Sequence, residues 1–280
     1  MDELRVAPEP ASLPEHPAPS PVREDKPLFK RIGAGLAALI ALIAKAGASL
    51  KWLLLLLPKA KIFATAGTML VSVAAYGLIW GWKFGLGFVL LLLLHELGHV
   101  FQLRREGVKA SAPMFIPFMG AFIGAKSFGK DAAAEARVGL AGPILGSIAT
   151  LVPLGIYLAG GGDFFRALAF TGFFLNLFNL LPVVPLDGGR AMAALSPWMW
   201  IAGFAGLVAL AVFFPNPIVI LIVLFAGLET FSRFRARKSP ESRRYHDIRP
   251  LTRFGVAAVY IGLAAALTLG MHFTHLPRTF

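Results

Sequence analysis

The sequence contains no cysteine. That absence excludes disulfides and thiolate metal sites, so any bound metal has to be held by histidine and carboxylate. Charge is scarce too. Asp, Glu, Lys and Arg make up 15% of the 280 residues, against 57% hydrophobic, where a soluble domain carries about 25% charged residues. A chain this poor in charge cannot cover a globular core with polar surface. It does hold several uninterrupted apolar stretches close to the ~20 residues that span a bilayer. Acidic residues are the scarcer sign, 15 against 27 basic, giving a formal charge of +12. In a soluble chain that excess would suggest nucleic acid. Here the basic residues fall between apolar runs, where they set topology, and no nucleic-acid partner is expected. No tandem repeat is visible.

The sequence divides by composition. Residues 1–31 are rich in proline and mixed in charge, the pattern of a disordered tail. They lack the basic start, apolar middle and small-residue cleavage site of a signal peptide. Residues 32–61 form an apolar or interfacial segment. Within it, 33–57 carries Lys45 and Lys51, both expensive near a bilayer centre, so its crossing is left open. A core follows over 62–232, then a basic loop at 233–253 and an additional C-terminal helix within 254–280. Candidate spans are 62–80, 84–104, 138–159, 164–184, 197–214, 216–232 and 254–273. The expected fold is an all-α polytopic membrane protein of about six to eight transmembrane helices. Loop charges orient it. With Lys59 and Lys61 in the cytoplasm, 17 basic residues fall on that side and 3 (Lys83, Arg166, Arg278) on the other, as the positive-inside rule requires.

One apolar stretch is no helix. Residues 110–128 contain Pro113, Pro117, Gly120 and Gly124, which interrupt helical hydrogen bonding. A short membrane-associated β-rich segment is expected there, its edges covered by helices or by a substrate, because lipid does not tolerate open strand edges. A packed re-entrant loop is the alternative.

The chemistry concentrates at His95-Glu96-Leu97-Gly98-His99. On a helix, positions i and i+4 share a face, so both imidazoles can reach one ion while Glu96 approaches a water beside it. Three protein ligands on zinc leave a fourth position for water, whose pKa falls toward about 7. Glu96 would take the proton and pass it on. Two histidines and a glutamate following the apolar run 88–94 need partners, which favours a site over a pair of stray polar residues. The third ligand is expected at Asp187, in the segment Asn179-Leu-Leu-Pro182-Val-Val-Pro185-Leu-Asp187-Gly188-Gly189-Arg190. By the charge topology it lies at the same membrane depth as the histidines. The prolines break the helix before it, and the glycines permit close backbone approach. The competing reading is an Asp that caps a helix starting near Gly188.

These two segments together resemble the site-2 protease family of intramembrane zinc metalloproteases, and Leu140-Ala141-Gly142-Pro143 is similar to it as well. The likeness covers about residues 62–232. It implies one zinc per chain on His95, His99 and Asp187, with Glu96 activating water. It also implies cleavage of peptide bonds within or near transmembrane segments of membrane-protein substrates. The strand segment would bind the unwound substrate by β-augmentation. Neither the PDZ insertion nor the CBS domain of some relatives is expected.

Asn179 is a candidate for holding the substrate or its oxyanion, with interhelical hydrogen bonding as the alternative. Asn176, one turn deeper, reads as interhelical glue. His16, His246, His272 and His275 are not placed to join the site. The run from Arg233 to Arg253 reads as a topology determinant touching anionic lipid. Trp80, Trp82, Trp198 and Trp200 read as interfacial anchors. The active site is expected toward the cytoplasmic side of a bacterial cell membrane. Two other classes compete: a non-catalytic zinc-binding membrane scaffold, which would not need Glu96, and a metal transporter, which would spread ionisable groups along a pathway. Substrate, partners and oligomeric state are not legible.

Overall fold

The computed structural model describes residues 60–275 except 119 and 126. The expected tail and the 33–57 segment lie outside the described residues. Helix α1 (Ala60–Trp80) and helix α2 (Trp82–Arg105) are joined through Gly81. Gly81 has φ +89°, a conformation that favours glycine. Helix α2 ends on Arg104 and Arg105, which complement its C-terminal dipole.

The 110–128 segment folds as strands, as its prolines and glycines predict. Strand β1 (Met114–Ile116) pairs antiparallel with β2 (Gly120–Phe122), with Phe115 opposite Ala121, and an isolated bridge joins Ala110 to Ala125. The β1 side of this hairpin and its turn are fastened to α1. The Phe115 N–H donates to Thr68 Oγ1 at 3.2 Å and the Phe118 N–H to Tyr76 Oη at 3.0 Å. Tyr76 is further fixed edge-on by Phe88 and Phe118.

Helix α3 (Ala132–Ile156) begins where Asp131 accepts the Ala134 N–H at 2.8 Å, an N-cap that satisfies one of the free first-turn donors. A π-helical turn, Tyr157–Gly161, leads to α4 (Asp163–Asn179). The expected 164–184 span therefore stops at Asn179, ahead of Pro182. Then come the short α5 (Asp187–Met192), α6 (Pro197–Phe213), α7 (Pro217–Ala236), the short α8 (Pro240–Tyr245) and α9 (Pro250–Thr274). Ser196 and Ser239 cap α6 and α8, each with proline at the first helical position, where its missing N–H costs nothing.

Among the described residues, four helical segments are long and apolar enough to cross a membrane: Phe63–Trp80, Trp82–Arg105, Ala132–Gly161 and Pro250–Thr274. This is the architecture of an integral membrane protein, with fewer such helices than the six to eight expected. Helices α4 and α6 have 17 residues each. Large apolar side chains such as Leu78, Leu158, Phe213 and Phe254 face outward, as a lipid-facing surface demands. Lipid is as apolar as leucine, so helices here are held by close packing and buried hydrogen bonds. The main core is where α3, α4, α5, α6 and α9 meet, around Leu140, Phe173, Met192, Trp200, Val256 and Leu267. One expectation is corrected at this point. Trp198 is exposed but Trp200 is buried, and its indole N–H donates to the Gly189 carbonyl at 2.7 Å. It is a core residue with a satisfied donor and not an interfacial anchor.

Candidate metal centre

His95 and His99 lie one turn apart on α2, and their Nε2 atoms approach to 3.3 Å. Asp187 is the first residue of α5, with Leu186 at the cap, and its side-chain contacts are to the two histidines rather than to the helix N-terminus. Its Oδ2 lies 3.0 Å from His95 Nε2 and 3.1 Å from His99 Nε2. All three side chains are buried, and they form the one group of three or more metal-ligating residues among the described residues.

The opposite ring nitrogens decide what these contacts mean. His99 Nδ1 lies 2.8 Å from the Val138 carbonyl, which can only accept, so Nδ1 carries a proton. His95 Nδ1 lies 2.8 Å from Asn176 Oδ1. The Asn176 amide N–H donates to the Gly172 carbonyl at 2.7 Å, which turns its oxygen toward His95 and places a proton on that Nδ1 as well. In the neutral rings both Nε2 atoms then present lone pairs, and they converge with a carboxylate oxygen in a buried space. Three acceptors at such distances repel one another unless a positive charge lies among them. The separations also match the donor spacing of about 3.3 Å expected for tetrahedral ligands at 2.0–2.1 Å from zinc. Two imidazoles, one carboxylate and outward partners for both rings are a donor set that fits such an ion.

A row of small residues on α3 makes the convergence possible. A Cβ at Gly142 would collide with the His99 imidazole, and one at Gly146 with the Asn176 amide. Gly139 gives the same room to the backbone of Asp187. Positions 139, 142 and 146 share one helix face, so a single stripe seats three parts of the site.

Glu96, the residue after His95 on α2, is buried as well. Arg190 follows Asp187 by three residues. Its guanidinium sits 3.4 Å above the Phe128 ring, and one of its terminal nitrogens is buried without a partner among the described residues. Asn179 does not contact the histidines. Its amide donates to the Leu175 carbonyl at 2.9 Å. Asn176, read from sequence as glue between helices, does bridge two helices, and the group it holds is the His95 imidazole. Both asparagines lie on neighbouring turns of α4, and only the depth of α4 against α2 selects between them.

A second polar cluster lies at the N-terminal end of α3. The buried Glu135 carboxylate accepts from Arg233 of α7 at 2.8 Å and from the Tyr245 hydroxyl of α8 at 2.7 Å. Burial and the neighbouring carboxylate push the Tyr245 phenol well above its usual range. Arg233 also pairs with Glu229. Part of the basic loop region is thus internally neutralised. Nothing in the sequence links residue 135 to residues 233 and 245. A separate cavity of about 560 Å³ lies between α2, α3 and α9, lined in part by Phe101, Gln102, Ile144 and Val256. None of the three converging side chains borders it.

Residues 83–162 match the model of Peptidase family M50. The chain is 34% identical over 135 residues to zinc metalloprotease MJ0392 of Methanocaldococcus jannaschii, an alignment covering 45% of this chain and 37% of the relative. It is also 34% identical over 142 residues to Rip3 of Mycobacterium tuberculosis, covering 46% and 35%. The chain therefore spans a little over a third of the length of these relatives. The family match takes in His95, Glu96, His99 and the stripe on α3. Asp187 lies beyond it, and its place in the centre rests on geometry.

Proposed function

We propose that this chain, whose residues 83–162 match the model of Peptidase family M50, is an intramembrane zinc endopeptidase that hydrolyses peptide bonds within or near transmembrane segments of membrane proteins. One observation carries this reading: two imidazole nitrogens and a carboxylate oxygen converge in a buried space, and Glu96, also buried, directly follows His95 on the same helix.

His95, His99 and Asp187 would hold the zinc. When bound, such an ion brings the pKa of a coordinated water toward about 7 and polarises a carbonyl. Glu96 takes the proton from the attacking water and delivers it to the departing amine nitrogen. Asn176 and the Val138 carbonyl keep the two imidazoles turned inward throughout. An oxyanion contact from Asn179 would need its second amide N–H, since the first is given to Leu175.

A transmembrane helix shields its own peptide bonds, so the substrate must enter extended. The hairpin supports entry by strand addition. Its β1 side is tied to α1 through Thr68, which leaves the outer edge of β2 as the edge for an incoming strand. Water reaches the centre from the cytoplasmic side, near Arg104, Arg105 and Arg190. We take α4, α6 and α7 as further crossings of a bacterial cell membrane, α4 and α6 being at the short end of the roughly 17–25 residues that suffice.

The test is zinc content and cleavage of a transmembrane reporter by detergent-purified protein. Wild type binds about one zinc per chain and cleaves. Asp187→Ala loses zinc and cleavage together. Glu96→Gln keeps zinc and loses cleavage. A folded wild type that takes up no zinc when supplied with it overturns the reading.

A further inference from the structure

The segment bearing Asp187 is held from outside the region that resembles the family. Helix α9 touches it on both sides. The Tyr260 hydroxyl donates to the Leu180 carbonyl. Arg253 donates from one terminal nitrogen to the carbonyls of Ala194 at 3.1 Å and Leu195 at 2.8 Å, and from the other to the His246 carbonyl at 2.6 Å. Asp187 lies between these two fixed points.

The Leu180 carbonyl is not a remote anchor. Residue 188 packs so closely on it that a Cβ there would strike the carbonyl oxygen. Tyr260 therefore fixes a group against which the residue next to Asp187 rests. The Leu180 N–H in turn bonds to the Asn176 carbonyl at 3.2 Å, and Asn176 orients His95. A chain of direct contacts runs from α9 to two of the three converging side chains.

Packing supports the same role. Val256 and Leu267 of α9 are buried in the main core with Leu180, Val184 and Met192. In lipid such contacts and buried hydrogen bonds are what hold an element in place, since no hydrophobic force drives helix to helix. A carboxylate ligand on a six-residue helix preceded by an irregular segment has little rigidity of its own. It needs support from outside.

We infer that α9 is a positioning element of the metal centre, with Tyr260 and Arg253 as positioning residues that hold the Asp187 segment at ligand distance. This rests on the reading of His95, His99 and Asp187 as zinc ligands. The hydrogen bonds of both residues go to backbone carbonyls and not to the His95, His99 or Asp187 side chains.

The experiment measures zinc affinity by competition with a chromophoric chelator, and thermal unfolding of the zinc-free protein, for wild type, Tyr260→Phe, Arg253→Lys and Thr268→Ala. Thr268, also on α9, makes only a local bond to the Ala264 carbonyl and serves as control. Loss of an outer contact to a metal ligand commonly weakens metal binding 10–100-fold. Tyr260→Phe is expected to weaken zinc by about tenfold, Arg253→Lys by a similar factor, and Thr268→Ala not at all. Arg253→Lys decides the matter if Tyr260→Phe does not fold. Lower thermal stability of the zinc-free protein with unchanged zinc affinity in both variants overturns the inference, since a merely structural role would give that result. Absence of zinc binding in wild type overturns the metal reading instead, and the positioning role with it.

Discussion

Asn176 Oδ1 lies 2.8 Å from His95 Nδ1, reaching from α4 to α2 past a position on α3 where only glycine leaves room. The contact sets the His95 tautomer. A proton held on Nδ1 leaves the lone pair of Nε2 for the ion.

Replacing that amide should loosen the metal without removing a ligand. Asn176→Leu is expected to weaken zinc binding 10–100-fold, read by chelator competition. Asn176→Asp, which keeps an acceptor toward His95, should retain more affinity. Equal affinity in Asn176→Leu and wild type would show that the His95 ring needs no such partner.

The stripe on α3 predicts sharp position dependence. Gly142→Ala places a methyl group against His99 Nε2 and should abolish stoichiometric zinc. Gly155→Ala, on the same helix with open space around it, should be neutral or stabilising by up to about 1 kcal/mol, as expected for glycine in a helix interior. Zinc content and thermal midpoint of the two variants check this directly.

Glu135 is buried with Arg233 and Tyr245 as its partners. Glu135→Ala leaves the guanidinium without its main counter-charge. Removing one member of such a pair typically costs about 3–5 kcal/mol. The thermal midpoint should fall, and backbone hydrogen exchange should rise first in residues 233–245, which the carboxylate ties to α3. A change spread evenly over the whole protein would argue against a local clasp.

Glu106 pairs with Arg137 at 2.7 Å, and that guanidinium lowers its pKa below the usual 4.5. The sign follows from the depressed value. The pair's contribution is full above the ordinary glutamate range and is lost as pH falls through the lowered folded value. Arg137 is partly exposed, so the effect is small, about 0.2–1 kcal/mol. Glu106→Gln should lower stability slightly near pH 7 and match wild type in strong acid. A difference that persists in acid would rule out this origin.

Much of this protein is legible in its sequence alone. Scarce charge and long apolar runs determine a membrane protein, because spanning a bilayer constrains composition residue by residue. Prolines and glycines over 110–128 determine that this stretch is not helical, because they remove donors and break helical hydrogen bonding locally. The i, i+4 spacing determines that His95 and His99 share a face, because helix geometry is local. Asp187 is reachable as the missing third donor by chemistry and by loop charge.

What the sequence could not supply depends on contacts between residues far apart in the chain. The choice of Asn176 over Asn179 against His95 depends on how deep α4 sits beside α2. The burial of Trp200, read as an interfacial anchor, follows from its indole finding the Gly189 carbonyl. Glu135 meets Arg233 and Tyr245 across about a hundred residues, and α9 meets the Asp187 segment across some sixty to eighty. Local pattern carries periodicity and donor type. Which distant carbonyl or carboxylate a side chain reaches is decided only when the helices pack.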